Sequence, residues 1–255
     1  MIDLLSHLQS GKGAVVATVL IAFLIFERIF PVVVRHQNFE RLGRNFSFAG
    51  LNFLLSPLIV VPITLYASGV AFAWRPMWWN GWFGLVLDLL ILDCWIYLWH
   101  RLNHMVPFLW RFHEVHHLDE TLDASSALRF HFGEVVLSSV VRAVVIIALG
   151  FSLTSILVFE TLVTIAAIFH HSNIALSPRI EKLLSFIIVT PSIHWVHHHA
   201  VQRDTDSNYS TILSVWDYIF GSVASGERQR DMLIGVEGIK EQKLLRLILR
   251  PFYKA

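Results

Sequence analysis

The stretch WHRLNHMVPFLWRFHEVHH, residues 99–117, decides how this chain is read. It ends a long apolar run that begins near Trp79. It then places His100 and His104 four apart, and His113, His116 and His117 in an i, i+3, i+4 pattern. Residues three and four apart share a helix face, so each group sets its imidazoles along one stripe. Neutral imidazole is the commonest protein ligand for transition metals, and three on one stripe are hard to explain as packing.

Working outward, twelve of the fourteen histidines fall between His100 and His199. HWVHHH repeats the triad with His194, His197 and His198, after a Thr190–Pro191 pair that suits a helix start. His199 points about 100° further round and is expected to face solvent or to support a neighbour. In FHHSN, the adjacent His170 and His171 cannot aim at one point. His171 is favoured as the ligand, because Glu160 and Thr164 lie on nearly the same face of the apolar helix before it. Glu160, an ionisable group inside a predicted span, is a candidate catalytic residue, the alternative being an ion pair with Arg142. Asp93, seven residues before His100, is the other candidate and is expected to orient a histidine ring. His131 precedes a further helix and joins the candidate ligands, whereas His7 and His36 are isolated.

The surroundings of these groups are a membrane. Of the 255 residues, 55% are hydrophobic and 15% charged, with a mean hydropathy of +0.58, which does not describe a soluble surface. A net charge of +1 argues against nucleic acid, and the single Cys94 excludes an intramolecular disulfide or a multi-cysteine cluster. Five apolar runs predict an all-α integral membrane bundle of about four to five spans: 13–34, 46–66 with Pro57 and Pro62 as kinks, 79–99, 134–151 and 154–169. The last two are short and joined by a tight, uncharged turn, which reads as a hairpin buried in protein or not fully crossing, and the first reads as an uncleaved helix rather than a signal peptide. This divides the chain into membrane helices at 1–75, a catalytic region at 76–222 and a cytoplasmic tail at 223–255. Arg35, Arg41, Arg44, Arg101, Arg111, Arg129 and ten Lys or Arg after His171 gather on one side, against Lys12 and Arg75 on the other. By the positive-inside rule the histidine side is cytoplasmic, and a bacterial inner membrane is favoured over endoplasmic reticulum.

The ordered motifs HRLNH, WRFHEVHH, SSALRFHFGE, FHHSN, TPSIHWVHHH and SNYSTILSVWDYIFGS, over roughly residues 85–222, resemble the fatty acid hydroxylase/sterol desaturase superfamily. The resemblance implies a membrane oxygenase with two non-haem iron ions under a cytoplasmic helical cap. It implies ligation by His100, His104, His113, His116, His117, His171, His194, His197 and His198, and His131 matches a histidine of the sterol-like branch. Asn208, Tyr209, Trp216, Asp217 and Gly221 match a signature that shapes the cap. The chain departs from the family at Phe132, Ser210, His170 and His199. Nine or ten imidazoles can serve two metals with four or five ligands each; ligand type alone also admits zinc, copper or nickel, and zinc could replace iron.

The implied reaction is hydroxylation or desaturation of an unactivated C–H bond of a sterol or acyl lipid, with O₂ and electrons from a ferredoxin or a cytochrome b5 and its reductase. Neither a dinucleotide-binding motif nor an iron–sulfur cysteine set stands in the sequence. The basic, amphipathic stretch 240–254 reads as a surface helix, the alternative being contact with an acidic carrier or anionic lipid. Competing readings are a histidine-rich metal transporter, which would need ligands near the bilayer midplane, and a zinc-binding membrane protein, whose catalytic form needs only three ligands.

Overall fold

The computed structural model describes residues 2–34 and 38–253, with side chains from residue 11 onward. Among the predicted features, Arg35, His36, Lys254 and the His7 side chain lie outside the described residues. The described chain is helical: α1 (Ile2–Ile29), α2 (Phe39–Leu55), α3 (Val60–Gly69), α4 (Gly81–Met105), α5 (Pro107–His117), α6 (Phe132–Leu149), α7 (Leu153–His171), α8 (Pro178–Ser185), α9 (Pro191–His197), α10 (Gln202–Thr205), α11 (Val215–Phe220) and α12 (Leu244–Leu249). Two 3-10 turns, Ala124–Leu128 and Arg250–Phe252, and isolated β-bridges lie among the other described segments.

α4, α6 and α7 are long and apolar enough to cross a membrane, and α2 with α3 makes a fourth span if the bent pair counts as one. The bend is 46° and falls at Pro57, which lacks an amide hydrogen and disfavours helix in the residue before it. Pro62 causes no break, because it sits in the first turn of α3, where the missing donor costs little. The first predicted span belongs to α1, which starts earlier and ends sooner than the apolar run. α1 carries Lys12, Glu27 and Arg28 yet packs along α7. The hairpin between α6 and α7 turns at Gly150, whose φ of +68° and close approach to Phe72 O leave no room for a Cβ.

A buried core of Ala67, Leu92, Ile146, Phe151, Ile156 and Phe159 joins α3, α4, α6 and α7. At their far end, Asp88 accepts hydrogen bonds from Trp79 and Ser155 and pairs with Arg75. Trp74, Trp78 and Trp82 are exposed around the same turn beside Phe72 and Phe83, and tryptophans of this kind are expected at a membrane–water interface. The chain is an integral membrane protein, and its histidines lie at the opposite end of the helices.

That opposite end is organised by charge. Asp119, fully buried, accepts from Arg41 Nε at 2.5 Å and Nη2 at 2.8 Å, while Arg41 also reaches Asp123, Ser126 and the Thr121 carbonyl. Burial alone would raise the Asp119 carboxyl, but Arg41 and Arg129 outweigh it and bring it down to about 2. The C-terminal segment is docked rather than a free basic surface: Leu247 packs on Phe48, Val115 and Leu118, and Arg250 donates to Glu114 at 2.8 and 3.0 Å.

Asp119→Ala removes the fully buried carboxylate from Arg41 and Arg129, which keep Asp123 and Glu241 as partners, and is expected to cost about 1.5–3 kcal/mol, read as a lower melting temperature in detergent. Folding lowers this carboxyl from 3.8 to about 2. Its contribution is therefore present above pH 3.8 and fades as pH falls toward 2, so the gap between wild type and variant should narrow in that window.

Candidate metal centre

α4 extends past its apolar stretch and carries His100 and His104 beyond the core, as the i, i+4 spacing predicts. Pro107 starts α5, which turns back so that its histidine stripe faces them. α9 brings its stripe from the other side, with His198 as its C-cap. α7 ends at His171.

Nine of the ten candidate ligands then separate into two sets. His100, His104, His113, His117 and His197 form one, and His116, His171, His194 and His198 the other; within each, one nitrogen per ring lies within 4.8 Å of all the rest. The division follows helical geometry. Each triad gives its i and i+4 members to one set and its i+3 member to the other, so α5 and α9 cross-donate and tie the sets together. His117 and His198, from different sets, stack with ring centroids 4.3 Å apart.

The donor atoms converge. Nε2 of His171 lies 3.0 Å from Nε2 of both His116 and His194, His198 is 3.1 Å from His194, and His117 is 3.2 Å from His113. Two imidazoles at 2.0–2.1 Å from one metal stand about 3 Å apart, so the spacing fits shared coordination. Both ring nitrogens of His104, Nδ1 of His116, His117, His194 and His198, and Nε2 of His197 are buried with no hydrogen-bond partner. Burying so many polar atoms unsatisfied is costly in a protein alone.

Protonation and tautomer suit ligation. Burial, reinforced by neighbouring imidazoles, pushes His116, His117, His194 and His198 well below the ordinary histidine range, and burial brings His197 down to about 3. They are neutral at pH 7. Nδ1–H donates to the carbonyl of Tyr209 from His100, of Ala167 from His171 and of Ser207 from His197, at 2.7–2.8 Å. His113 Nδ1 contacts Glu134 Oε1 at 2.9 Å. Carbonyls only accept, so Nε2 keeps its lone pair for a metal, the usual outer support of ligating histidines. The residues therefore fit two divalent transition metals, by donor chemistry, by the convergence of their Nε2 atoms and by the partnerless Nε2 of His104 and His197.

Other predicted residues lie elsewhere. His131 stands outside both sets: it caps α6 by accepting from Gly133 N at 3.0 Å and donates to Ile248 O at 2.9 Å, so neither nitrogen is free. Asp93 does not touch His100, since seven residues place it about 10 Å back along the helix. It accepts instead from Ile212 N, Leu213 N and Trp216 Nε1. Glu160 does pair with Arg142, at 2.8 Å, and also with Lys12, at 2.7 Å. His170 lies beside the second set, its ring centroid 3.9 Å from that of His194, and His199 is held by Asp204 at 2.7 Å. HEVHH has the HExxH spacing of zinc proteases, but Glu114 faces Arg250 and not the site.

The partner that sequence reasoning missed is Glu134. A carboxylate in the first turn of an apolar helix was the available signal. The cap signature acts indirectly: Asp217 accepts from Tyr209 N, Ser210 N and Ser222 Oγ, and Asn208 bridges Ile193 O and Ala224 N from a φ of +51°. This fixes the loop whose carbonyls hold His100 and His197.

Comparison with known proteins agrees with the geometry. The sequence profile described as fatty acid hydroxylase matches residues 85–222. Over 96% of its length the chain is 28% identical to ornithine lipid hydroxylase OlsE of Rhizobium tropici, covering 76% of that protein. It is 30% identical to alkylglycerol monooxygenase of Danio rerio over 60% of the chain, and 28% identical to a cholesterol 25-hydroxylase-like protein of Danio rerio over 54%. The chain spans 31% and 55% of those two relatives. No solved structure matches.

Metal analysis of the purified protein should give two ions per chain. His113→Ala and His194→Ala should each lower that number and His131→Asn should not, while Glu134→Ala should weaken metal affinity about 10–100-fold. With one stretch of sequence, a helical membrane bundle and two imidazole sets all in agreement, the chain belongs to the fatty acid hydroxylase family of oxidoreductases.

Proposed function

We propose that the chain is a membrane-bound oxygenase that uses two iron ions and O₂ to hydroxylate an unactivated C–H bond of a lipid. The observation that carries this reading is a cavity of about 670 Å³ among the membrane helices, whose mostly apolar wall includes His100 and His113 from one set and His116, His171 and His194 from the other. Val60 and Leu65 of α3, Ile96 and Trp99 of α4, and Leu157 and Val163 of α7 complete it with side chains suited to an acyl chain or sterol.

When bound, iron supplies the redox chemistry by which O₂ attacks a C–H bond. The protein's own contribution is positional. Nδ1 hydrogen bonds fix the rings of His100, His113, His171 and His197, and the apolar wall excludes water while presenting a lipid carbon to the histidine end. One oxygen atom enters the product and the other leaves as water, so electrons and protons come from a donor, of ferredoxin or cytochrome b5 type. Zinc is the expected substitute in preparations short of iron. The relatives' names, each a hydroxylase or monooxygenase, favour hydroxylation over desaturation. They act by name on an ornithine lipid, alkylglycerols and cholesterol, which supports an amphipathic lipid substrate here.

The basic residues of the histidine end support a cytoplasmic face there. A bacterial relative that aligns with nearly the whole chain supports a bacterial inner membrane. Residues 76–222 are proposed as the catalytic region, with 1–75 closing the cavity and 223–255 covering α5.

Lipid mass spectrometry of cells with and without the chain, grown under ¹⁸O₂, tests the reaction. A lipid gaining one labelled hydroxyl is expected, lost in His113→Ala. Full conversion by metal-stripped protein would contradict the reading.

A further inference from the structure

The cavity that reaches the histidines carries charge in its opposite part. Lys12 of α1, Arg142 of α6 and Glu160 of α7 share its wall, with Lys12 Nζ donating to Glu160 Oε2 at 2.7 Å and Arg142 Nη2 to Oε1 at 2.8 Å. Two cations against one carboxylate leave a surplus positive charge, and Arg142 Nε is a buried donor with no partner. A tie between helices needs one cation per carboxylate; the second makes the group attractive to an acceptor from outside. Charge inside a membrane bundle is costly and as a rule functional, and here it faces a lipid-sized space.

The distance is set by the helix. Glu160 lies eleven residues before His171 on α7, which is about 16 Å of axial rise. A lipid held at both places would have its polar group and its reacting carbon at a fixed separation.

We propose that Lys12 and Arg142, balanced by Glu160, bind an oxygen acceptor, carboxylate or hydroxyl, on the end of the lipid remote from the histidines, and so determine which carbon is presented for attack. This rests on the cavity's being the lipid site.

The test is displacement of a fluorescent fatty acid from the solubilised full chain, without reductant, by palmitic acid and by the alcohol and alkane of the same length. The acid should bind about tenfold or more tighter than the alkane, as a charge-assisted hydrogen bond implies, and the alcohol should fall between. Arg142→Gln and Lys12→Gln should each remove most of the acid's advantage and leave the alkane unchanged. Glu160→Gln, which deletes the negative charge, should enlarge the advantage, whereas a merely structural triad would lose all three ligands together.

Equal binding of the three ligands by the wild type overturns the proposal, and that measurement needs no variant to fold. Parallel changes for all three in variants with unaltered melting overturn it as well. The ¹⁸O₂ experiment reads separately: selective acid binding without labelled product would sink the oxygenase reading, and labelled product without acid preference would sink this one.

Discussion

Nine imidazoles from four helices are packed into two adjoining sets, with Nε2 atoms of different rings only 3.0–3.2 Å apart. A neutral imidazole has one lone pair, and rings that turn their Nε2 atoms on one another at this spacing are best satisfied by a metal shared between them. The remaining architecture serves this arrangement. α4 and α7 deliver histidines from the membrane, α5 and α9 deliver the triads from above, and the Arg41–Asp119 cluster anchors the segment that follows α5.

The i, i+3, i+4 spacing has a consequence beyond placing three rings on one face. With four rings in one set and five in the other, each triad splits its members between them, so neither set can move without the other. The cap loop adds a second constraint, since its backbone carbonyls choose the tautomer of His100 and His197. Asp93 and Asp217 act on that loop and not on the metal sites, which makes these carboxylates supports of supports. The apolar cavity beneath reaches histidines of both sets.

Much of this was legible in the sequence, because helical periodicity and hydropathy are local. The positions of α4, α6 and α7 to within a few residues, the turn between α6 and α7 and the two histidine triads follow from spacing along one helix, whereas α6 and α7 are each long enough to cross. What stayed hidden depends on which helices meet. Asp93 has the right angular position for His100 but the wrong height, and an angular argument cannot see height. His131 shares its neighbourhood in sequence with the site, yet its ring is consumed by the α6 cap and the docked C-terminal segment. Glu134 became a partner of His113 only through the packing of α6 on α5, and Lys12 joined Glu160 from nearly one hundred and fifty residues away.

The central claim is that two metals occupy two separate imidazole sets. Anomalous X-ray diffraction from crystals of the iron-loaded protein, collected at the iron edge, tests it directly. The account predicts two peaks, one among His100, His104, His113, His117 and His197 and one among His116, His171, His194 and His198. A single peak, or iron bound away from these rings, would contradict it.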